Sequence, residues 1–422
     1  MKFCSFTLGC KVNQYEAQGI ESVLISRGHT QSQPGEGCDA CIVNTCSVTA
    51  ESARKSRQAV RRMKKLEPYA VIAVCGCLSQ LEPHFADTLG ADLIGGSGDR
   101  DGFALEIEAL VEKQGDGSSA FRKKADEPSP CFSRTRALLK IQDGCDNYCA
   151  YCVIPYARGN ARSLPLELAS AHAARLDNQG FREIVVTGIE ISSYGKDLDG
   201  KPPLTEVIHV ISAAAPRARL RLGSLAPEAV SEAFCRELRA IPNLCNHFHL
   251  SLQSGCDATL RRMGRKYDTD TVLKAISSLR QGFPDCGITA DLIVGFPGET
   301  DDEFKQTLAL IKTAAFSGMH IFPFSPRPGT LAANMPGQVA KGIKRERAHL
   351  AAQAAEELAQ TFKINQIGKD VEVLFERKRG GFWSGHSGNY LEVTAMSGGG
   401  KNSVQTVQIV RIDDGMIWGE II

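Results

Sequence analysis

The sequence predicts an α/β protein in three parts: an N-terminal α/β domain on a parallel sheet, a central partial (βα)6 barrel, and a small C-terminal antiparallel β-barrel. Three observations carry that reading. From the N-terminus to about residue 324, short apolar runs alternate with helical patterns, the grammar of parallel strands covered by helices. Two composition breaks interrupt this alternation: a polar stretch rich in Gly, Ser and Pro at 112–134, and a softer one at 334–341 that leads into a helical run to about residue 364. Beyond Gly368 the pattern changes to short strands separated by turns. The boundaries that follow are 1–112, a linker at 113–134, 135–363 and 364–422.

In the first part, residues 39–44 and 70–74 are continuous apolar runs of the buried parallel-strand type, and helical patterns follow Asn13, Thr49 and Gln80. In the second, strands are expected at 138–142, 183–187, 219–222, 247–252, 288–294 and 319–324. One helix start is marked by a capping box, Thr300 with Glu303, just after Gly298. Six βα units fit an open or partial barrel, in which chemistry sits at the C-terminal ends of the strands. In the third part, five strands fall in about 55 residues, which fits a small barrel of OB-like size.

Composition narrows the function classes. A chain of 422 residues holds two or three domains. No stretch approaches the ~20 apolar residues of a membrane span, and the start, MKFCSFTLGCKVNQYE, is not expected to be a signal peptide. The 15 cysteines are odd in number and come with no secretory signal, so a reducing cytoplasm is the expected location. A net charge of +1 makes no global claim on nucleic acid, so any polyanion site must be local.

The cysteines carry the chemistry. In CDNYCAYC, Cys145, Cys149 and Cys152 form a C-x₃-C-x₂-C run directly after the first barrel strand. Three thiolates on one loop hold three corners of a cubic iron–sulfur cluster and leave the fourth iron open to a small molecule, whereas electron carriers use four cysteines. Structural zinc competes for the same residues, but zinc wants a fourth Cys or His nearby, and Val153, Ile154 and Pro155 follow. Tyr148 and Tyr151 lie between the ligands, where they are placed to shield a cluster from water. A second set, Cys10, Cys46 and Cys77, falls at expected strand ends, which converge on one edge of a parallel sheet. Buried cysteine is common in cores, so this spacing alone is weak. Cys75 competes with Cys77, and strand periodicity points both the same way. Cys38 and Cys41 form a C-x₂-C of the zinc or redox type, but Cys41 lies in an apolar run and reads as core; Cys4, Cys131, Cys235, Cys245, Cys256 and Cys286 read as structural.

With TLGCKVNQYE, IVNTCSVTA, GCLSQ, IQDGCDNYCAYCVIPYARG, HFHLSLQSG, LRRMGRKY, DLIVGFPGET and FPFSPRPGT in this order, the chain resembles the methylthiotransferases, radical S-adenosylmethionine (SAM) enzymes with two iron–sulfur clusters. QDGCDNYCAYCVIPYARGNARS and LGCKVNQYE resemble the branch acting on N6-threonylcarbamoyladenosine at position 37 of tRNA; the alternative branches act on isopentenyladenosine-37 or a ribosomal-protein side chain. The resemblance implies SAM and two [4Fe–4S] clusters, one held by Cys145, Cys149 and Cys152 for reductive SAM cleavage, the other by Cys10, Cys46 and Cys77 for sulfur delivery. It selects Cys77 over Cys75, and it implies a TRAM-like C-terminal domain, the tRNA anticodon stem-loop as partner, and a reductant and a sulfur donor that the sequence does not identify.

Further candidates come from the strands. His247, His249, Ser251 and Gln253 alternate with Phe248, Leu250 and Leu252; Thr289 and Asp291 alternate with Ile288, Ala290 and Leu292. Apolar faces should meet the outer helices and polar faces line the barrel interior, which makes Gln253 and Asp291, with Gly188, Glu190 and Ser224 at strand ends, candidate SAM contacts. Hydrogen-bonded buried polar groups are the competing reading. No catalytic acid or base is assigned. For RNA, the helix after Thr49 carries an apolar stripe of Ala53, Val60, Met63 and Leu66 and a basic remainder of Arg54, Lys55, Arg57, Arg61, Arg62, Lys64 and Lys65. A solvated basic face competes with that reading. Lys341, Lys344, Arg345 and Arg347 form a second basic group. The C-terminal part, with six Lys or Arg against seven Asp or Glu, would need a patch such as Arg377, Lys378 and Arg379 with Phe382 and Trp383 stacking.

Overall fold

The computed structural model describes residues 1–114, 135–396 and 398–422. Beyond Gln114, the expected linker lies outside the described residues, as does Cys131. Two compact units emerge. One comprises the described residues of Met1–Cys131 with Gly144–Asn160 and Ser325–Ala333; the other comprises the described residues of Phe132–Asp143 with Ala161–Phe324 and Asn334–Ile422. The cysteine loop after the first barrel strand thus groups with the N-terminal domain.

The first unit is built on five parallel strands in the order Thr30–Gln31, Lys2–Thr7, Ala40–Thr45, Val71–Gly76, Leu93–Ile94. Every residue of Ala40–Thr45 and Val71–Gly76 is buried, because helices cover both faces. On one face Cys4, Cys41, Val43, Ile72 and Val74 meet Ala53, Val60 and Met63 of the helix Ala50–Leu66. On the other, Phe3, Ile42 and Ala73 meet Ile20 and Leu24 of Lys11–Ser26 and Phe103 and Ile107 of Arg100–Gln114. The helical pattern after Gln80 is realised as the short helix His84–Asp87, with Cys77–Leu81 before it and the longer Arg100–Gln114 beyond. One expectation needs correction. Leu66 does not belong to the apolar stripe; it is 40% exposed in the last helical turn, and the stripe ends at Met63.

The second unit carries seven parallel strands in chain order, the third and fourth separated only by Gly223, in a sheet of three (Ala137–Lys140, Glu183–Thr187, Arg219–Leu222) and a sheet of four (Ser224–Leu225, His247–Gln253, Gly287–Val294, Gly318–Pro323). Phe248, Leu250, Leu252, Ile288 and Ala290 pack into one core with Ile208, Ile211, Ile276 and Leu279 from the covering helices. The Thr300–Glu303 capping box is formed as expected, and the long helix after the second break is Lys341–Ile364. The expected strand 138–142 is in two pieces, because Gln142–Asp143 turns away to pair antiparallel with Arg162–Ser163.

The C-terminal strands Asp370–Arg379, Phe382–Ser387, Glu392–Ala395, Val404–Asp413 and Met416–Ile421 close into a barrel around Val373, Phe375, Val393, Val407 and Ile417. The barrel is not wholly antiparallel. The last hairpin folds back so that Met416–Ile421 pairs parallel with Glu392–Ala395, which removes the free edges. Its seam with the larger barrel is ionic. Buried Glu183 binds Arg219 at 2.7 Å and Arg221 at 2.8 Å. These arginines donate onward to the carbonyls of Glu372, His386, Ser387 and Gly388, and Arg221 lies 4.9 Å from the Tyr390 ring centroid. Burial pushes the Glu183 carboxyl up, but Arg221 and Arg219 outweigh it and hold it at about 2.

Candidate functional site

The loop Gly144–Asn160 folds on itself. The Cys145 N–H donates to the Gly159 carbonyl at 3.1 Å, and the Cys152 N–H to the Cys149 carbonyl at 2.9 Å, a turn that brings the last two cysteines round together. The Cys152 sulfur accepts from the Ile154 N–H at 3.5 Å. Cys149 is buried, and Cys145 and Cys152 are half-buried. Three soft sulfur donors on one turn suit iron. Tyr148 does not shield the loop: it is 49% exposed with φ 45°, edge-on to Tyr156, while Tyr151 is half-buried.

Cys10, Cys46 and Cys77 follow three adjacent parallel strands. Cys10 caps Lys11–Ser26, Cys46 directly follows Ala40–Thr45, and Cys77 opens the helix after Val71–Gly76. Gly9 makes the approach possible. At φ +101°, its Cβ would stand 2.9 Å from Cys46 Cβ and 3.0 Å from its sulfur. Behind the thiols lies a buried polar knot. Asn13 donates to the carbonyls of Leu8 and Thr45, each at 2.9 Å, and its Oδ1 accepts from Arg158 at 2.8 Å and faces the Cys77 sulfur at 3.7 Å. Arg158 is fully buried and paired with Glu16 at 2.6 Å.

The thiols of Cys46 and Cys77 both feel Cys10 and Arg158. Burial pushes the Cys77 thiol up to about 12; Arg158 opposes the rise, and Cys10 and Cys46 add to it. Burial raises Cys46 too, with Cys10 adding and Arg158 opposing. Ionising buried Cys46 and Cys77 beside Cys10 is costly here without a cation. A cluster that ligates them removes that cost, so the donor set fits iron–sulfur chemistry. Cys75 borders the same groups: burial pushes its thiol up, and Glu16 and Cys77 add to the rise. The positive φ at Gly76, +101°, breaks the strand periodicity that aligned the two thiols, and Cys75 packs with Ile20, Phe103, Ala104 and Ile107. Sequence reasoning misses Asn13, Glu16 and Arg158; their one signal is a position in NQYE and YARG, beside the cysteines.

In the larger barrel the polar strand faces meet. Ser224, His249 and Thr289 are register partners across three strands. His249 Nδ1 lies 2.9 Å from Thr289 Oγ1, and its Nε2 lies 3.1 Å from Asp291 Oδ2. His320, a residue the sequence did not mark, stands with its ring 5.9 Å from that of His249. Gln253 departs from the alternation: a register shift after Leu250 and a φ of 63° turn it out of the row. Gly188 and Glu190 form a second group around Gln142, whose Oε1 accepts from the N–H groups of Ile189 and Glu190 at 3.0 and 2.8 Å. A Cβ on Gly188 would meet the Gln142 carbonyl at 2.9 Å, so packing alone accounts for glycine there. Glu190 is buried, which raises its carboxyl above the usual range against the pull of Arg265 and a hydrogen bond from the Ser192 N–H.

Residues 139–311 match the radical SAM superfamily, and residues 2–94 match the uncharacterized protein family UPF0004. Threonylcarbamoyladenosine tRNA methylthiotransferase of Thermotoga maritima is 38% identical over 88% of this chain and 85% of its own. The enzyme of that name from Bacillus subtilis is 34% identical over 92% and 88%. The chain belongs to the methylthiotransferase family of radical SAM enzymes. Membership implies SAM and a [4Fe–4S] cluster. A sibling relative, tRNA-2-methylthio-N(6)-dimethylallyladenosine synthase of Pelotomaculum thermopropionicum, is 30% identical over 90% and 87%. Among solved structures, the radical SAM methyltransferase TsrM of Kitasatospora setae matches with a TM-score of 0.56 at 15% identity, covering 79% of this chain and 77% of that one, a likeness of fold alone.

The charged surfaces of this family member sort differently from expectation. On Ala50–Leu66, Arg54 and Lys55 pair with Glu51, Arg57 pairs with Glu82, and Lys64 donates to the Gly90 carbonyl. Arg61, Arg62 and Lys65 are exposed with no acidic partner among the described residues. The group at 341–347 is not a basic patch: Arg347 is buried between Glu299 and Asp301, each at 2.7 Å, and Lys344 donates to the Phe324 carbonyl. On the terminal barrel Arg377 is paired with Glu392 at 2.6 Å. Lys378 stands over Trp383 at 5.7 Å and Arg411 over Trp418 at 5.1 Å, with Phe382 edge-on to Trp418. Among the described residues, no helix is long and apolar enough to cross a membrane.

Proposed function

We propose that this chain inserts a methylthio group at C2 of N6-threonylcarbamoyladenosine at position 37 of tRNA, in the cytoplasm. Full-length similarity to relatives named for that nucleoside, at 38% and 34% identity, carries the substrate assignment. Two separate cysteine triads, each one ligand short of a closed cluster, support the chemistry. When bound, two [4Fe–4S] clusters and SAM supply radical generation and sulfur delivery at a C2–H bond that ordinary side chains cannot activate.

The chain's own residues divide the work. Cys145, Cys149 and Cys152 are the proposed ligands of the SAM-cleaving cluster. Cys10, Cys46 and Cys77 are those of the sulfur-delivering cluster. Arg158, held by Glu16 and Asn13, offsets the negative charge that collects beside Cys77 and Cys46. Ser224 and Asp291, flanking His249, are the proposed SAM contacts in the barrel, with Gly188, Glu190 and Gln253 at its strand ends. The anticodon stem-loop is proposed to meet Arg61, Arg62 and Lys65 and the Lys378, Trp383, Arg411 and Trp418 surface, where cations meet phosphates and rings stack on bases. A reductant and a sulfur donor complete the system.

Mass spectrometry of tRNA nucleosides from a deletion strain tests this reading. Loss of the 2-methylthio-threonylcarbamoyl nucleoside alone is expected. Loss of the 2-methylthio-isopentenyl nucleoside, or intact tRNA with an unmodified ribosomal protein, would move the chain to a sibling branch.

A further inference from the structure

Cys4, Cys38 and Cys41 take no part in the sites above, yet their sulfurs meet. Cys4 Sγ lies 3.2 Å from Cys41 Sγ, and Cys38 Sγ lies 3.6 Å from Cys4 Sγ and 3.5 Å from Cys41 Sγ. They form a group of potential ligand atoms all within 4.8 Å of one another. The fold builds this convergence. Cys4 and Cys41 are register partners on adjacent parallel strands, both fully buried, and Cys38 reaches in from the turn before the second strand. The site lies at the far end of the sheet from Cys46, five strand residues or about 16 Å from Cys41.

The spacing speaks to the occupant. One tetrahedral ion with metal–sulfur bonds of about 2.3 Å places its sulfurs about 3.8 Å apart. In a cubane each thiolate binds a different iron, so the sulfurs stand farther apart. This triad therefore matches a mononuclear centre. Its surroundings are negative. The Glu67 carboxylate is fixed by the N–H groups of Gly35, Gly37 and Cys38 at 2.7, 3.1 and 3.2 Å, and it hydrogen-bonds the Cys38 side chain. Three converging sulfurs beside this fixed carboxylate make a soft, negative donor set suited to a cation.

We propose that Cys4, Cys38 and Cys41 bind one thiophilic divalent cation of the Zn²⁺ class, with a water in the fourth position on the half-buried Cys38 side in place of a fourth protein ligand, a third metal centre separate from the two proposed cluster triads. Loading releases the three thiol protons to solvent and moves no electrons. Its role is to tie the start of Lys2–Thr7 to the turn ahead of Ala40–Thr45, and so to brace the sheet whose other end carries Cys10, Cys46 and Cys77.

The test uses full-length protein with its iron–sulfur clusters reconstituted, so that the cluster cysteines are occupied. The protein is incubated with Zn²⁺ and washed with a chelator. Elemental analysis should find one zinc per chain, and zinc K-edge absorption should show three sulfur neighbours at about 2.3 Å. Cys38→Ser should lose the zinc and keep its iron; Cys38→Ala, which adds no polar group, reads the same loss should the serine variant fold poorly. Absence of zinc with full iron, zinc retained in both variants, or a Cys4–Cys41 disulfide in anaerobic protein would overturn the proposal.

Discussion

The two proposed cluster triads are built in opposite ways. Cys145, Cys149 and Cys152 sit on one loop, closed by its own backbone hydrogen bonds. Cys10, Cys46 and Cys77 come from three separate strand ends and meet only when the parallel sheet forms. Behind them, the sheet triad has a buried knot, Asn13, Glu16 and Arg158, in which one charge comes from the loop helix Ile154–Arg158 and the other from Lys11–Ser26. A loop can present three thiols to one ligand from local geometry alone. A sheet edge needs long-range packing to hold them, together with a positive charge to offset their crowding.

Arg158→Ala is the largest test of that difference. It removes the guanidinium from a buried ion pair with Glu16, a loss that typically costs about 3–5 kcal/mol. Urea unfolding should show that loss, and iron should fall from about eight toward about four per chain as the sheet triad empties. Equal loss from both clusters would mean that the two triads are not supported separately.

Glu183 provides a contrasting ionic knot, at the seam of the terminal barrel in the second unit. Its folded pKa, about 2, lies below the ordinary carboxyl value of 4.5. Its contribution is therefore present above pH ~4.5 and lost as pH falls from there toward 2, amounting to about 3 kcal/mol. Acid titration of stability should show this slope in the wild type and lack it in Glu183→Gln. The smallest effect is expected for Cys75→Ala, a modest core truncation costing about 1 kcal/mol. Its iron content should equal that of the wild type; a loss of iron would return Cys75 to the ligand set.

Much of this contrast was legible in the sequence, and the rest was not for a physical reason. Barrel strands at 183–187 and 219–222 and the capping box at Thr300 read directly, because apolar runs and cap residues are local signals. The C-x₃-C-x₂-C loop is local too. Arg158 and Glu16 are 142 residues apart, and no periodicity links them. Arg347 looked like a surface charge until Glu299 and Asp301 were placed beside it. The positive φ at Gly76, which separates Cys75 from Cys77, and the parallel pairing that closes the terminal barrel likewise depend on contacts made across the fold.

The most direct test of two differently built triads with different tasks is Cys77→Ala, assayed for iron, for reductive cleavage of SAM to 5′-deoxyadenosine, and for methylthiolation of tRNA. The account predicts about four irons per chain, cleavage retained and methylthiolation abolished. A variant that still methylthiolates, or one that loses SAM cleavage along with it while Cys145, Cys149 and Cys152 remain intact, would contradict it.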